Sequence, residues 1–485
     1  MNPLSPAFIG ELSALLGADG VRHSPAQKAV YASDAYTLEK SLPGVVALPR
    51  TTAEVSAILR LCHARGVPTV PRGAGTGLAG GSTTGSDAVL LCLSRMSEIV
   101  SIDLPNRRLR AQAGAINIAL TKAVAADGYQ FAPDPSSQGA STIGGNVANN
   151  AGGPHTLKYG VTVNHVLGLQ IVLPDGEILE LSADDCGYDL VGLVTGSEGT
   201  LAVVTEVTVK LVKTPEAVRT MLVVCRTVDD ATTMISAIIA SGILPAALEM
   251  IDRTILLAVE EAYKLGLPTD AEAVLLIEVD GAEAGLNRQA ERITALCREH
   301  GAVRVEAATN ALDRARLWTA RKKSVGTLGR LAPSHATQDG VVPRTKLPQI
   351  LREIAAIGAR HKLRIANVFH AGDGNLHPVV LFDERDPEEV KRVLIAGGEI
   401  LAACVNAGGA LTGEHGIGIE KRDFLHLVFS PEDLDIMAKV RGAFNPDGLL
   451  NPGKLLPFGG NCCPHLRRPE AEALLNLTKT RAAAV

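Results

Sequence analysis

Residues 71–81 read Pro-Arg-Gly-Ala-Gly-Thr-Gly-Leu-Ala-Gly-Gly, and the surroundings of this stretch decide the fold class. Residues 75–80 match the G-x-G-x-x-G spacing of dinucleotide-binding loops. That fingerprint needs a helix to begin at the last glycines, so that its N-terminus meets a pyrophosphate. Here a polar turn follows, and then a strand pattern at Ala88–Leu93. The sequence therefore disfavours a nicotinamide-binding Rossmann domain and predicts a loop whose backbone N–H groups bind phosphate.

A second glycine-rich tract, Ile143–Gly153, combines small side chains with three asparagines. A flat ring needs small residues beside it and hydrogen-bond donors at its edge, and this tract offers both. Two such tracts predict a large extended cofactor with a diphosphate at one end. Taken alone, each tract would also fit a pair of tight turns. A third tract, Gly196–Thr200, leads into alternating valines typical of a strand.

The pattern of predicted secondary structure changes near residue 216. Before it, short strands and tight turns predict one α+β unit. After it, strands at Thr220–Cys225 and Ala273–Val279 alternate with helices at Val228–Ser241 and Ala282–His300. This alternation predicts an antiparallel sheet covered by helices. We therefore divide the chain into an N-terminal helical segment (1–40), a cofactor domain (41–215), a substrate domain (216–420) and a C-terminal helical segment (421–485).

The stretch His370-Ala-Gly-Asp-Gly-Asn-Leu-His377 lies between two strand patterns. A two-residue type I′ turn at Asp373-Gly374 would pair His370 directly with His377. Cβ atoms paired in this way lie about 4.5–5.5 Å apart, which suits chelation of a divalent metal such as zinc. Further along, Glu414 and His415 offer a carboxylate and another imidazole. Structural histidines, or a longer loop that breaks the pairing, are the alternative.

Charge is uneven along this chain of 485 residues, whose net charge is −5. The overall sign disfavours nucleic acid and anionic membranes as partners. Residues 314–346 nevertheless contain eight basic side chains and one acid, Asp339. Such a basic region suits a small anionic substrate, and a solvated helix face is the alternative.

The eight cysteines show no CxxC spacing, and the adjacent Cys462 and Cys463 cannot easily bridge each other. This pattern is typical of reduced, packing cysteines in the cytosol. The N-terminus lacks the basic region and cleavage site of a secretory signal, and no apolar run reaches about 18 residues. We therefore expect a cytoplasmic protein.

Six motifs together carry a family resemblance: PRGAGTGLAGG, PDPSSQGASTIGGNVANNAGG, GSEGTLAVVTEVTVKL, HAGDGNLH, TGEHGIG and NPDGLLNPGK. They resemble the FAD-linked oxidases of the vanillyl-alcohol oxidase fold, over roughly residues 20–457. Their order is most similar to bacterial glycolate oxidase catalytic subunits and to D-lactate and D-2-hydroxyglutarate dehydrogenases. The resemblance implies a two-part FAD-binding domain, an antiparallel-sheet cap domain that carries the substrate site, and a C-terminal segment that returns to the FAD domain.

The resemblance also implies roles for particular residues. No histidine occupies the 71–81 loop, so FAD is expected to bind non-covalently. The matching metal ligands are His370, His377 and Glu414, which would bind zinc or manganese. His415 matches the residue that acts as the base. Arg321 matches the residue that binds the substrate carboxylate, and Arg344 and Lys346 would assist it. The FAD-binding positions are Pro71, Arg72, Gly73, Ala74, Gly75, Thr76, Gly77, Leu78, Pro133, Asp134, Ala140, Ser141, Gly144, Gly145, Asn146, Ala148, Asn149, Gly152, Glu198, Gly199, Val204 and Asn451.

The expected reaction is oxidation of a small D-2-hydroxy acid to the 2-oxo acid. Glycolate or D-lactate is favoured over D-2-hydroxyglutarate, because Lys322–Val325 does not clearly supply the hydroxyl and lysine that a second carboxylate needs. Electrons would pass to a quinone, a cytochrome, an iron–sulfur subunit or oxygen. Membrane contact would come only through a partner subunit, and both a homodimer and a hetero-oligomer fit. The alternatives are another alcohol oxidase on the same fold and a non-catalytic subunit of an oxidase complex.

Overall fold

A computed structural model describes residues 4–457 of the chain. Cys462, Cys463 and the end of the proposed C-terminal segment lie outside the described residues. The helices are α1 Pro6–Leu16, α2 Pro25–Ala29, α3 Thr52–Ala64, α4 Asn117–Val124, α5 Ile143–Asn149, α6 Thr156–Tyr159, α7 Leu190–Val194, α8 Val228–Ala240, α9 Arg253–Tyr263, α10 Glu283–Glu299, α11 Ala311–Lys322, α12 Ser324–Thr327, α13 Leu347–His361, α14 Pro387–Asn406 and α15 Pro431–Phe444.

The strands have between two and nine residues each. They are β1 Val21–Arg22, β2 Val45–Ala47, β3 Thr69–Arg72, β4 Val89–Cys92, β5 Ile99–Asp103, β6 Arg108–Gln112, β7 Tyr129–Gln130, β8 Val166–Val172, β9 Ile178–Ser182, β10 Val203–Lys210, β11 Val212–Lys213, β12 Ala217–Cys225, β13 Ala247–Asp252, β14 Ala273–Gly281, β15 Arg304–Ala307, β16 Ser334–Thr337, β17 Gly340–Val341, β18 Arg364–His370 and β19 Asn375–Phe382.

The described chain forms two compact units. The first runs to Gly152, includes Val161–Thr214 and resumes at Glu414, whereas the second comprises Gly153–Gly160 and Pro215–Gly413. The four-segment division at residues 40, 215 and 420 stays a proposal. Within residues 4–457, no helix has the length and apolar character needed to cross a membrane.

Two sheets organise the first unit. One has the order β1-β2-β4-β3 and is parallel at β2-β4 and β3-β4. The other is antiparallel with the order β5-β6-β10-β8-β9. In β10 the alternating Val203, Val207 and Val209 are buried, as a period of two requires. The predicted strand–turn character of this half is therefore confirmed.

The C-terminal segment pairs with β3, the strand that leads into the first glycine tract. The Thr69 amide donates to the carbonyl oxygen of Leu449, and the Asn451 amide donates to the carbonyl oxygen of Thr69, at 2.8 Å each. A proline-rich extended segment needs partners for its backbone polar groups, and β3 supplies them. The predicted return of this segment is confirmed.

The second unit contains one antiparallel sheet of order β15-β12-β14-β13-β18-β19-β16, with β17 paired to β19. All eight residues of β19 are buried, because the strand lies inside the sheet and its apolar run packs on both faces. Leu317 and Trp318 of α11 pack with Ile251 and Leu276 in the core beneath the sheet. The predicted helix-covered antiparallel sheet is therefore confirmed.

The histidine hairpin departs from the predicted register. His370 pairs with Asn375, and Val368 pairs with His377, so the connection has four residues rather than two. A type I′ turn requires positive φ at both central positions, but among the described loop residues only Gly374 has it, at 82°. The Asp373 carboxylate accepts from the Asn375 amide at 3.1 Å, which closes a side-chain turn in place of the predicted backbone turn.

The observed register differs from the predicted one by two residues. Because two is an even number, each histidine stays on the face of the sheet that was predicted for it. Side chains alternate along a strand, so a shift of two leaves His370 and His377 on the same side of the sheet as diagonal neighbours. Their ring centroids are 5.1 Å apart, the ring planes meet at 88°, and both side chains are buried. The predicted proximity of the imidazoles survives although the predicted pairing is wrong.

Gly374 fixes the hairpin loop, and Gly374→Ala is expected to destabilise the protein. A left-handed backbone costs a non-glycine residue about 1–2 kcal/mol, and here the added Cβ would also collide with the carbonyl oxygen of Val342. Gly266→Ala is the matched control, since Gly266 has φ +73° with nothing within 4 Å of the added Cβ. Urea unfolding should show a larger loss in the free energy of unfolding for Gly374→Ala than for Gly266→Ala. Equal losses in the two variants would show that the contact with Val342 does not contribute to stability.

Candidate active site

The first glycine tract packs against a short helix that the sequence did not predict. Thr142 accepts a hydrogen bond from the Gly145 amide at 3.2 Å and so caps α5, which lies inside the second tract. A Cβ at Gly73 would collide with the Thr142 hydroxyl, and a Cβ at Gly144 would lie 2.6 Å from the Ala113 Cβ. The absence of a side chain at Gly73 lets the first tract approach the start of α5, which lies in the second tract.

Two buried polar atoms in this cradle need a ligand. Ser141 Oγ and Asn451 Oδ1 have no hydrogen-bond partner within residues 4–457, although both side chains are buried. A buried polar atom left unpaired costs about 1–3 kcal/mol. Both residues are among those that the resemblance assigns to FAD. The residues present therefore fit a cofactor whose own polar atoms would satisfy them.

The remaining predicted FAD residues lie in the same unit. Asn117 Nδ2 donates to the Pro133 carbonyl oxygen at 3.1 Å and to Asn146 Oδ1 at 2.9 Å, which ties two of them together. A Cβ at Gly199 would lie 2.6 Å from Pro71 Cγ, so the third tract also reaches the first. The buried members of this set are Arg72, Pro133, Asn146, Gly152, Glu198, Gly199 and Val204. Those left half-buried or exposed include Ala74, Gly75, Thr76, Gly77, Leu78, Asp134, Ala140 and Ala148.

Glu198 holds the segment that carries His415. Its carboxylate accepts hydrogen bonds from the amides of Ile417 and Gly418, at 2.6 and 2.7 Å. Burial raises the pKa of Glu198, while the two amide donors and the nearby Lys421 oppose that rise. The resemblance assigned Glu198 to the cofactor. In the structure, its carboxylate fixes the loop after His415.

Asn149 holds the same segment from the other side. Its Nδ2 donates to the His415 carbonyl oxygen at 2.8 Å. Gly416 follows with φ +84°, and a Cβ there would lie 2.8 Å from both Asn149 Nδ2 and Glu198 Oε1. The side chain of Asn451 adds a bond of 2.7 Å to the Glu198 carbonyl oxygen. Residues 415–418 are thus fixed in the first unit beside residues that the sequence assigned to FAD.

The second unit brings His370 together with Arg321 through a residue that the sequence analysis missed. Glu249 lies in β13, and its carboxylate contacts His370 Nδ1 at 2.8 Å and Arg321 Nε at 2.5 Å. All three side chains are buried. Burial acts to raise the pKa of Glu249, but Arg321 and His370 outweigh it and hold the pKa below its ordinary value. The site therefore contains a carboxylate ion-paired with Arg321.

Asp339 plays a corresponding part near His377. Its Oδ1 lies 3.8 Å from His377 Nδ1, while its Oδ2 accepts from the Thr412 hydroxyl and from the Gly413 amide, at 2.5 and 3.0 Å. Asn375 also contacts Gly413, since a Cβ there would strike its amide group. Gly413 directly precedes Glu414 in the chain. The segment leading to Glu414 is thus fixed beside His377.

The two assisting basic residues have different surroundings. Arg344 Nη1 donates to the carbonyl oxygen of Gly372 at 3.1 Å, so it supports the hairpin loop. Lys346 is exposed at the start of α13. Their assignment to the substrate stays a proposal.

The sequence around Glu249 contains a signal that this carboxylate is buried and paired. Glu249 is a lone acid inside the run Ala-Ala-Leu-Glu-Met-Ile, whose other members are apolar and buried. A charged residue is almost never fully buried unless it is paired. A single acid within a strand of this kind therefore indicates a buried partner, but the sequence alone does not identify that partner.

Comparisons with known proteins agree with these observations. A family model described as "FAD binding domain" matches residues 43–182, and one described as "FAD linked oxidases, C-terminal domain" matches residues 214–455. Glycolate oxidase subunit GlcD of Escherichia coli is 43% identical over 93% of this chain and 93% of that protein. The Bacillus subtilis subunit of the same name is 41% identical, over 92% and 96%. D-lactate dehydrogenase of Anaerostipes hadrus is 32% identical, over 86% and 90%.

Solved structures share the fold at low sequence identity. p-Cresol methylhydroxylase superposes with a TM-score of 0.78 at 15% identity, over 92% of this chain and 96% of that one. 4-Ethylphenol oxidase from Gulosibacter chungangensis gives a TM-score of 0.76 at 19% identity, over 92% and 96%. Such identities show the vanillyl-alcohol oxidase fold alone. The relatives and the two family models establish that this chain belongs to the FAD-linked oxidases and is an FAD-dependent oxidoreductase.

Proposed function

We propose that the chain oxidises a small D-2-hydroxy acid, with glycolate and D-lactate as the first candidates, to the corresponding 2-oxo acid. The observation that carries this proposal is the buried group formed by Arg321, Glu249 and the His370–His377 pair. A buried guanidinium suits a substrate carboxylate, and adjacent imidazoles suit a metal ion. The names of the glycolate oxidase and D-lactate dehydrogenase relatives support the same substrate class.

We infer that His370, His377 and Glu414 hold a divalent ion, zinc or manganese. The donor set of two imidazoles and one carboxylate fits both metals. Glu249 contacts His370 Nδ1, which leaves Nε2 as the ligand atom.

The chemistry that these groups supply when bound is acceptance of two electrons by FAD and a lowered hydroxyl pKa from the ion. Every other task falls to side chains. His415 accepts the substrate hydroxyl proton as a general base. Arg321 donates charge-assisted hydrogen bonds to the substrate carboxylate. Within the described residues its single hydrogen bond uses Nε, so Nη1 and Nη2 are available.

The proposal extends to the size of the substrate, the electron acceptor and the cellular compartment of the protein. One buried arginine supports a monocarboxylate, and D-2-hydroxyglutarate is the second candidate. The GlcD relatives are named as subunits, which supports an external acceptor such as a quinone, a cytochrome, an iron–sulfur subunit or oxygen. Free thiols buried at Cys62, Cys225 and Cys404 support a cytoplasmic setting.

The test is an anaerobic titration of the purified FAD-loaded protein with glycolate, D-lactate, L-lactate and D-2-hydroxyglutarate. We expect glycolate or D-lactate to bleach the flavin band fastest, and L-lactate to leave it oxidised. Fastest bleaching by D-2-hydroxyglutarate would replace the favoured substrate with the second candidate. A flavin that none of the four reduces would contradict the proposed reaction and favour a non-catalytic subunit or another alcohol oxidase.

A further inference from the structure

Glu249 is a buried charge of the second unit to which the proposed reaction assigns no role. The register of the sheet places it directly opposite His370 in the β13–β18 ladder. Directly opposed residues share a face, with Cβ atoms about 4.5–5.5 Å apart. The strand pairing therefore fixes the distance between this carboxylate and the imidazole, independently of any bound ligand.

The contacts of Glu249 bear on the tautomer of His370 and on which guanidinium nitrogen of Arg321 is used. An ionised carboxylate is an acceptor only, so His370 Nδ1 and Arg321 Nε must both donate to it. A proton on Nδ1 leaves the lone pair of the neutral imidazole on Nε2. Use of Nε in Arg321 leaves the two terminal nitrogens, which form the fork that suits a carboxylate. One side chain thus sets the tautomer of His370 and the rotation of the Arg321 guanidinium.

We propose that Glu249 is a positioning residue that couples the metal site to the substrate site, by orienting His370 as a ligand and Arg321 as the carboxylate donor. The inference rests on the proposed function for the roles of those two partners. Carboxylates behind metal-ligating histidines generally fix the ring and raise its basicity. Here the same carboxylate also holds a substrate-binding arginine, so a single substitution should weaken both sites.

A purely structural ion pair is the competing explanation, and the chain contains a matched example. Glu278 lies in β14, the strand next to β13, and is likewise buried. It accepts two hydrogen bonds from Arg314, at 2.7 and 2.8 Å, and its Oε1 lies 3.4 Å from His155 Nε2. Glu278 contacts neither His370 nor Arg321, so Glu278→Gln isolates the effect of losing a buried carboxylate.

The experiment compares Glu249→Gln with wild type in two titrations. In the first, metal-free protein is titrated with Zn²⁺, and we expect about 10–100-fold weaker binding, because the amide presents an NH2 donor in place of one of the two oxygens that accept from His370 and Arg321. In the second, the protein with bound FAD is titrated with glycolate or D-lactate, and we expect the apparent KM of flavin reduction to rise. Glu249→Asp keeps an acceptor-only side chain and should recover part of both losses.

The control variant separates positioning from stability. Glu278→Gln should lower the melting temperature but leave Zn²⁺ affinity and KM at wild-type values. Zn²⁺ affinity and KM that are the same in Glu249→Gln and wild type would overturn the proposal, as would equal losses in Glu278→Gln. Wild-type protein that binds no Zn²⁺ would instead contradict the metal ligands of the proposed function. The coupling of Glu249 to Arg321 would then be judged by KM alone, and an unchanged KM would reject it.

Discussion

Replacing His415 with alanine is expected to slow substrate-dependent flavin reduction by about 10²–10⁴-fold, the usual contribution of a positioned general base. The loss should appear in the rate of reduction at saturating substrate, because the carboxylate is bound by other residues. Anaerobic stopped-flow measurement of the flavin band gives this rate directly. Near-normal reduction in the variant would remove His415 from the mechanism.

The structure indicates that this substitution removes the imidazole without disturbing the loop that carries it. The loop at His415 is held through its main chain, by Asn149 Nδ2 on the His415 carbonyl oxygen and by Glu198 on the amides of Ile417 and Gly418. Removing the imidazole leaves those bonds intact, so FAD content should not change. His426→Ala is the matched control, since His426 is an exposed histidine of the same unit. It should reduce the flavin at the wild-type rate.

Sequence reasoning succeeded where a local pattern determines the structure. The strand that follows residues 71–81 excluded a Rossmann helix, and β4 at Val89–Cys92 confirms that interpretation. The helix α5 was missed because a run of glycine and asparagine has poor helix propensity. Its cap at Thr142 and its packing against Ala113 stabilise it, and both are contacts that propensity does not include.

In the histidine hairpin, the sequence predicts the face on which each histidine lies but not its pairing partner on the opposite strand. Asp373-Gly374 favoured a two-residue turn, yet the Asp373 side chain bonds to the Asn375 amide and the loop widens. The face of each histidine depends only on parity, which a shift of two preserves. The pairing depends on turn geometry, which one side-chain hydrogen bond can change. The face of the sheet that the two histidines share was therefore predictable, whereas their pairing was not.

Charge was the least predictable feature. The basic region at 314–346 looks unpaired in sequence, but Arg314, Arg321 and Arg330 pair with Glu278, Glu249 and Glu261. These acids lie 36 to 72 positions away along the chain. Sequence windows contain no information on such distant partners. Arg321 is the buried one of these three arginines, and the suitability of the whole region for a small anionic substrate stays a prediction.

Removal of the divalent ion is expected to produce an effect as large as the loss of the base. A bound cation contributes several kcal/mol of charge stabilisation, which corresponds to a rate loss of about 10²-fold or more. Dialysis against a chelator should therefore suppress flavin reduction by substrate without releasing FAD, and added Zn²⁺ or Mn²⁺ should restore it. Metal analysis of the untreated protein should give one ion per chain.

The ligand assignment is tested by His377→Ala with His335→Ala as its control. His377 is buried on β19, whereas His335 lies on β16, the neighbouring strand of the same sheet. His377→Ala should lose the ion together with flavin reduction, and His335→Ala should retain both. Protein that contains no stoichiometric metal and is indifferent to chelator would reject His370, His377 and Glu414 as ligands. Arg321 and His415 would then have to bind and deprotonate the hydroxy acid without a cation.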